Sequence, residues 1–336
     1  MNSFRFLILL AVCSFDVLAS RAVPQPATTY SGICNASAGV DLGSGYFVVA
    51  DDDINSLVIY RYGESGPAGS VNLGEYLAPE GGKQKEADIE GAARIGDRIY
   101  WIASHAAKDT GEPRPARQRL FATRVDTSGA MPKPLPIKAR PYSGLLSALR
   151  SDGRFKLLAD AATIGAELPH GLNIEGLAAT EDGGLLIGFR NPLTDKGEAL
   201  VIELKNPAET IERGANPVFG DLIRLNLGNR GVRSIERIGG EYFIVAGPFN
   251  KGAFDDPSSR FAIYKWRRST GAPPVHWKDI DPHDFHAEGI FEIAATGQLY
   301  LLSDDGDDHP ACKEGKDADK FTNDTSKTFR GMAMNR

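Results

Sequence analysis

Cysteine, methionine, tryptophan and histidine are all scarce here, with 3, 4, 3 and 6 copies among 336 residues. Three cysteines cannot build a disulfide scaffold or a cysteine-rich zinc module. No block of Lys or Arg occurs, and 38 basic against 44 acidic residues leave a net charge of −6. The electrostatic footprint that a phosphate backbone requires is therefore missing, and nucleic acid is not an expected partner. No apolar run approaches the roughly 20 residues that a membrane span needs. A Gly-rich phosphate loop, a dinucleotide fingerprint and a Gly-x-Ser-x-Gly elbow are also missing, so nucleotide and serine-hydrolase chemistry are unsupported. What is present is 42% hydrophobic and 24% charged residues, enough to bury a full core.

The amino terminus points to a compartment. Phe4 to Val12 is apolar except for Arg5, and it is followed by Ala19, Ser20, Ala22 and the Pro24/Pro26 stretch. That is the layout of a secretory signal peptide, with cleavage expected near Ala19 or Ala22. Residues 1–22 are read as the signal and 23–336 as one domain, secreted or periplasmic and monomeric. A lipoprotein reading of Leu10 to Cys13 is the minor alternative, because Val12 stands where a small residue normally precedes an acylated cysteine. Loss of Cys13 with the signal leaves Cys34 and Cys312, near the two ends of the mature chain. An oxidising compartment favours a disulfide between them if the fold brings its ends together.

Five segments align with one another: Ser37 to Asp51, Ile89 to His105, Ile174 to Arg190, Val232 to Pro248 and Ala287 to Ser303. Each reads as a strand, a Gly-containing turn and a second strand rich in aromatic and β-branched residues. A third strand follows in four of them, at Ser56–Arg61, Arg119–Arg124, Ala199–Leu204 and Arg260–Lys265. With Ala38, Glu90, Glu175, Arg233 and Glu288 taken as equivalent, the spacings are 52, 85, 58 and 55 residues. Antiparallel units at that period fit the blades of an all-β propeller. Five blades are expected, with six as the alternative if the long gap hides a degenerate blade. In that gap, around 143–162, the apolar spacing of Ser143–Arg150 and Phe155–Ala162 suits short helices. The stiff Pro132–Pro136 segment reads as a connection inside one domain.

Several phrases in these repeats carry a family resemblance. They are Asp88-Ile-Glu-Gly-Ala, Trp101 to His105, Asn173-Ile-Glu-Gly-Leu-Ala, Gly188-Phe-Arg-Asn-Pro, Gly231 to Ile235 with Val245 to Pro248, and Ser303-Asp-Asp-Gly. Together they resemble the bacterial domain-of-unknown-function family 3616, from about Gly32 to the end. That family is distantly similar to the secreted esterase-like phytases, which are also propellers with Glu-Gly phrases and acidic loops. The resemblance implies a fold more firmly than an activity.

In a blade the start of the innermost strand lies beside the end of the next one. Applied to the repeats, this brings Glu90, Glu175, Glu288, Arg233, His105, Arg190, Asn191, Asp51, Asp52, Asp304 and Asp305 to one face. Three glutamates converging on a channel require a cation, arginine partners or raised pKa values. Hard divalent cations prefer such oxygens, so a calcium or magnesium ion on Glu90, Glu175, Glu288 and Asp304 is one expectation. The other is structural: backbone hydrogen bonds from the next blade to each glutamate, with Arg190 and Arg233 completing ion pairs. Asp51, Asp52, Asn191 and Asp305 are read as facing a ligand. Asp53, Asp307 and Asp308 are read as solvated turn residues. His283 and His286 are too weak a signal for zinc without cysteine support, and His105 and His170 are read as a proton donor or as loop residues.

Two functions follow. One is an extracytoplasmic binding propeller that holds a small ligand or a partner on this acidic face, with or without calcium. The other, implied by the phytase resemblance, is a metal-dependent phosphoesterase with catalytic residues His105, Arg190 and Arg233 holding the phosphate. Against it stands the small number of basic groups at the face.

Overall fold

The computed structural model describes residues 27–250, 260–281, 284–306, 310–312 and 321–336. The chain opens with β1 (Thr28–Gly32) and then lays down strands in groups of four. Blade 1 is β2 (Ala36–Gly43), β3 (Tyr46–Asp51), β4 (Ser56–Arg61) and β5 (Pro67–Asn72), and blade 2 is β6 (Ile89–Ile95), β7 (Arg98–Ala103), β8 (Leu120–Asp126) and β9 (Lys133–Pro136). Blade 3 is β10 (Asn173–Ala179), β11 (Leu185–Asn191), β12 (Ala199–Leu204) and β13 (Ile223–Leu225), and blade 4 is β14 (Gly231–Ile238), β15 (Glu241–Gly247), β16 (Ala262–Trp266) and β17 (Val275–Asp279). Blade 5 joins both ends of the chain: β18 (Ala287–Ile293), β19 (Gln298–Ser303) and β20 (Asp324–Met334) are completed by β1 on the outside.

Each innermost strand touches that of the next blade, and β18 touches β2, so the five sheets close into a ring. The second strand of each blade is buried almost along its whole length, which is why these segments read as continuous apolar runs rather than alternating ones. Five apolar clusters hold the ring, one in each seam between neighbouring blades.

The five-bladed reading holds and the sixth blade falls away. The long gap instead carries α2 (Leu145–Ser151) and α3 (Lys156–Ala161), while two other short helices, α1 (Gly74–Leu77) and α4 (Pro207–Arg213), lie elsewhere. Leu145, Leu146, Leu149, Phe155 and Leu158 pack into the seam of blades 2 and 3 beside Tyr100, Ile102 and Ile187. The Pro132–Pro136 segment is corrected: it is β9, the outer strand of blade 2, paired through Pro134 and Pro136 to β8. An edge strand tolerates proline because its outward N–H positions need no partner.

A β-bulge recurs in every innermost strand. In blade 2 the register passes from Ile89↔Ala103 to Gly91↔Ile102, leaving Glu90 as the extra residue. The same slip isolates Ser37, Glu175, Arg233 and Glu288. The equivalence drawn through Ala38 therefore moves by one, to Ser37. At the facing strand the register aligns Asp52, Ser104, Arg190, Gly247 and Asp304, so His105 and Pro248 also lie one residue beyond the positions expected for them.

Small residues follow the bulges for a steric reason. A Cβ on Gly176 would lie 2.7 Å from Val232 Cγ1 and 3.0 Å from Ile235 Cγ2, both in the next blade. The Glu-Gly pairing thus reflects two requirements at adjacent positions, a side chain toward the axis and close approach between blades.

Candidate functional site

The bulges place Ser37, Glu90, Glu175, Arg233 and Glu288 at one end of the channel. Arg233 is 3% exposed and lies between two carboxylates, with Nε 2.9 Å from Glu175 Oε2 and Nη2 paired to Glu288 Oε1. Burial, and after it the positive charge of Arg190, lowers its pKa to about 10, against the pull of Glu175 and Glu90. Arg190 Nη1 donates to Glu175 Oε1 at 3.0 Å, as does Asn173 Nδ2 at 3.1 Å. Arg190 Nε and Arg233 Nη1 each donate to the carbonyl of Pro248 at 3.2 Å. Both arginines are therefore engaged. Removing Arg233 would take the arginine partner from buried Glu288 and leave Glu175 to Arg190 and Asn173, and breaking a buried pair in this way typically costs about 3–5 kcal/mol.

The other half of the mouth is built differently. Asp52, Asp88 and Glu90 bring carboxylate oxygens within 4.8 Å of one another, with Asp88 and Glu90 buried and Asp52 half-buried. Burial raises Glu90 well above the usual carboxylate range, and the charges of Asp88 and Glu175 add to it against Arg233 and Arg190. Asp52 is raised by burial and then by Glu90 and Asp304. Asp88 is raised by burial, opposed by Arg117 and by the Ser104 hydroxyl. That hydroxyl donates to Asp88 Oδ2, and Arg117 bridges Asp88 and Glu86.

The remaining expected residues take positioning contacts. Asp51 Oδ2 accepts the backbone N–H groups of Asn35 at 3.0 Å and Cys34 at 3.3 Å, while Oδ1 accepts that of Asp53 at 3.0 Å. Burial, and after it the Asp53 charge, pushes Asp51 up to about 7. Asp305 is gripped by Arg330 Nε and Nη2 at 3.0 and 2.7 Å and accepts from the Ser303 hydroxyl at 2.8 Å. Asn191 Nδ2 donates to the carbonyls of Ala166 and Leu168, tying the helical insertion to the mouth. Asp304 accepts the Gly306 N–H at 2.9 Å and bridges to Asn35 across blades 5 and 1.

His105 is 1% exposed, with its Nδ1 2.8 Å from the carbonyl of Ala103. A carbonyl only accepts, so Nδ1 carries the hydrogen and Nε2 is an acceptor; Nε2 is buried without a partner. Burial lowers this imidazole to about 4. His283, Asp307 and Asp308 lie outside the described residues, as does the segment 1–22 read as a signal peptide.

Asp88, Asn173, Ser104 and Arg117 were not anticipated as site residues. A signal for two of them was available: Asp88 and Asn173 stand two residues before Glu90 and Glu175, and a strand period of two sends such pairs to one face. Arg117 ends a single 3₁₀ turn, Pro115–Arg117, too short for any periodicity to mark it.

Cys34 and Cys312 are joined, with Cα atoms 6.1 Å apart. The bond ties the link between β1 and β2 to the chain beyond β19, beside Asp51 and Asp305, whose N–H donates to Cys34 O at 3.1 Å. Among the described residues no helix is long and apolar enough to cross a membrane.

No curated protein matches the chain. Similar solved structures include the glutaminyl cyclase of Myxococcus xanthus, 11% identical over 92% of this chain and 96% of that one, TM-score 0.42. A GH43 β-1,3-galactosidase with galactodeoxynojirimycin is 10% identical over 90% of this chain and 94% of that one, TM-score 0.49. A gluconolactonase of Xanthomonas campestris is 9% identical over 93% of this chain and 91% of that one, TM-score 0.39. Residues 135–295, from the end of β9 through blades 3 and 4 to the inner strand of blade 5, match the model of the family described as a protein of unknown function (DUF3616), the family that the repeated phrases resemble.

Proposed function

We propose that the protein is an extracytoplasmic binding propeller that holds a small, donor-bearing ligand at the acidic mouth of its channel. The observation that carries this reading is a set of acceptors gathered at one end. His105 Nε2, Asn173 Oδ1, Asn191 Oδ1 and Asp52 Oδ1 are all buried without a hydrogen-bond partner. Buried polar atoms left in this state are costly, and a ligand carrying hydroxyl or ammonium groups satisfies them. The fixed scaffold around them keeps such a site pre-formed. The Cys34–Cys312 bond supports an oxidising compartment.

The phosphoesterase alternative has no such support. It needs Arg190 and Arg233 to meet phosphate, and both are held by Glu175, Glu288 and the Pro248 carbonyl.

The test is a thermal-shift screen of the chain from residue 23, run with chelator and with calcium, against polyols, sugars, amines and phosphate esters. Stabilisation by a hydroxyl- or ammonium-bearing compound, lost in Asn173→Ala, is expected. Turnover of a phosphate ester, or no response to any compound in either condition, would overturn the reading.

A further inference from the structure

Charge is balanced on one side of the mouth and unbalanced on the other. The arginines pair with Glu175 and Glu288, while Glu90, from the seam of blades 1 and 2, points at Asp52 and Asp88. Glu90 is 6% exposed, and no hydrogen bond or contact ion pair joins it to another described residue, Arg233 and Arg190 acting on it only from a distance. A carboxylate so deeply placed and unpaired is costly unless something cationic stands before it. Asp52 adds an oxygen, Oδ1, that is itself covered and without a donor.

We propose that Asp52, Asp88 and Glu90 form a binding site for one hard divalent cation, calcium foremost, in the seam between blades 1 and 2. The proposal deepens the binding reading of the mouth and rests on it. It keeps Glu90 but moves the cation away from Glu175 and Glu288, the two axial glutamates that pair with Arg233.

The spacing suits the ion. Oxygens bound to calcium lie 2.3–2.6 Å from it, so two ligands of one ion stand at most about 5 Å apart; these three lie within 4.8 Å. Each ligand is also held by something else. Glu90 sits on the bulge of β6. Asp88 is turned by a positive φ of 60° and steadied by Ser104 and Arg117. The loop carrying Asp52 is pinned by the three backbone N–H groups on Asp51. Ligands fixed in this way lose little freedom on binding. Calcium takes six to eight oxygens, so water completes the shell. The arrangement also gives the mouth two ends: a cation at blades 1 and 2, and the acceptors of Asn173 and Asn191 at blade 3 for the rest of a ligand.

Isothermal titration of the chelator-stripped chain from residue 23 with calcium chloride, and separately with magnesium chloride, tests the site. One calcium per chain is expected, with affinity reduced about tenfold or more in Asp52→Asn and in Glu90→Gln and unchanged in the surface control Asp221→Asn. Asp52 is half-buried on a loop, so Asp52→Asn remains informative if Glu90→Gln folds poorly. Neither ion binding wild type, or Asp52→Asn binding as wild type does, would overturn the proposal. Loss of binding in Glu288→Gln equal to that in Asp52→Asn would place the ion on the axis and overturn the seam site. A hit in the chelated ligand screen alongside failed titration removes the cation alone, whereas bound calcium with no screen hit removes the donor-bearing ligand.

Discussion

His105 shows how one buried residue couples the mouth to pH. Its imidazole is neutral in the folded protein near pH 7, with a pKa lowered to about 4 by burial, with Arg119 adding to that and its bond to Ala103 working against it. The unfolded chain takes up a proton near 6.5. Between those values the unfolded state therefore holds more protons than the folded one, and stability rises with pH. The contribution is fully present above pH 6.5 and is lost as pH falls toward 4, with a slope of at most about 1.4 kcal/mol per pH unit. Denaturant midpoints of wild type and His105→Gln measured at pH 4.5 and 7.5 are expected to converge at the lower pH. Parallel pH profiles would show that His105 is not the titrating group.

At the scale of the element, the bulged innermost strand is the recurring device. One extra residue re-aims a side chain toward the axis, and a small residue after it lets the neighbouring blade approach. At Gly176 that approach leaves 2.7 Å to Val232 Cγ1 for an added Cβ, too close without a shift of β14. Gly176→Ala is expected to destabilise by about 1–3 kcal/mol through overpacking, read as a lower denaturant midpoint. Gly183→Ala, at a turn with φ 82° and no neighbour within 4 Å, separates this effect from strain of the glycine backbone itself: there the loss should come from conformation alone. A Gly176→Ala midpoint equal to wild type would show that the seam has slack.

The whole molecule is a ring closed twice at one place. β1 pairs with β20, and Cys34–Cys312 crosslinks the chain over 278 residues a few positions beyond. In the loop-entropy model a bond spanning so long a segment restricts the unfolded state by about 5 kcal/mol. Cys34→Ser with Cys312→Ser is expected to lower the melting temperature by several degrees and yet leave the circular dichroism spectrum of the folded state unchanged, because the β1–β20 ladder still closes blade 5. Loss of the folded spectrum at 25 °C would show that the strand pairing alone cannot hold the ring.

Much of this architecture was legible in local pattern. The apolar second strands, the turns and the third strands Ser56–Arg61 and Ala199–Leu204 are short-range features, and their fivefold recurrence implies the propeller. The cysteine pairing was legible too, since a closed ring must bring its first and last strands together. Three things were decided only by the tertiary structure. The bulge shifted the equivalence from Ala38 to Ser37, because an irregular register leaves no mark on the pattern of a single strand. Pro134 and Pro136 became an edge strand because its partner, β8, supplies the ladder. The division of the mouth into a half where Arg233 and Arg190 pair the glutamates and a half where carboxylates outnumber their one arginine, Arg117, depended on which glutamate Arg233 reaches. That is set by distances across the channel between residues far apart in the chain, and no local spacing encodes them.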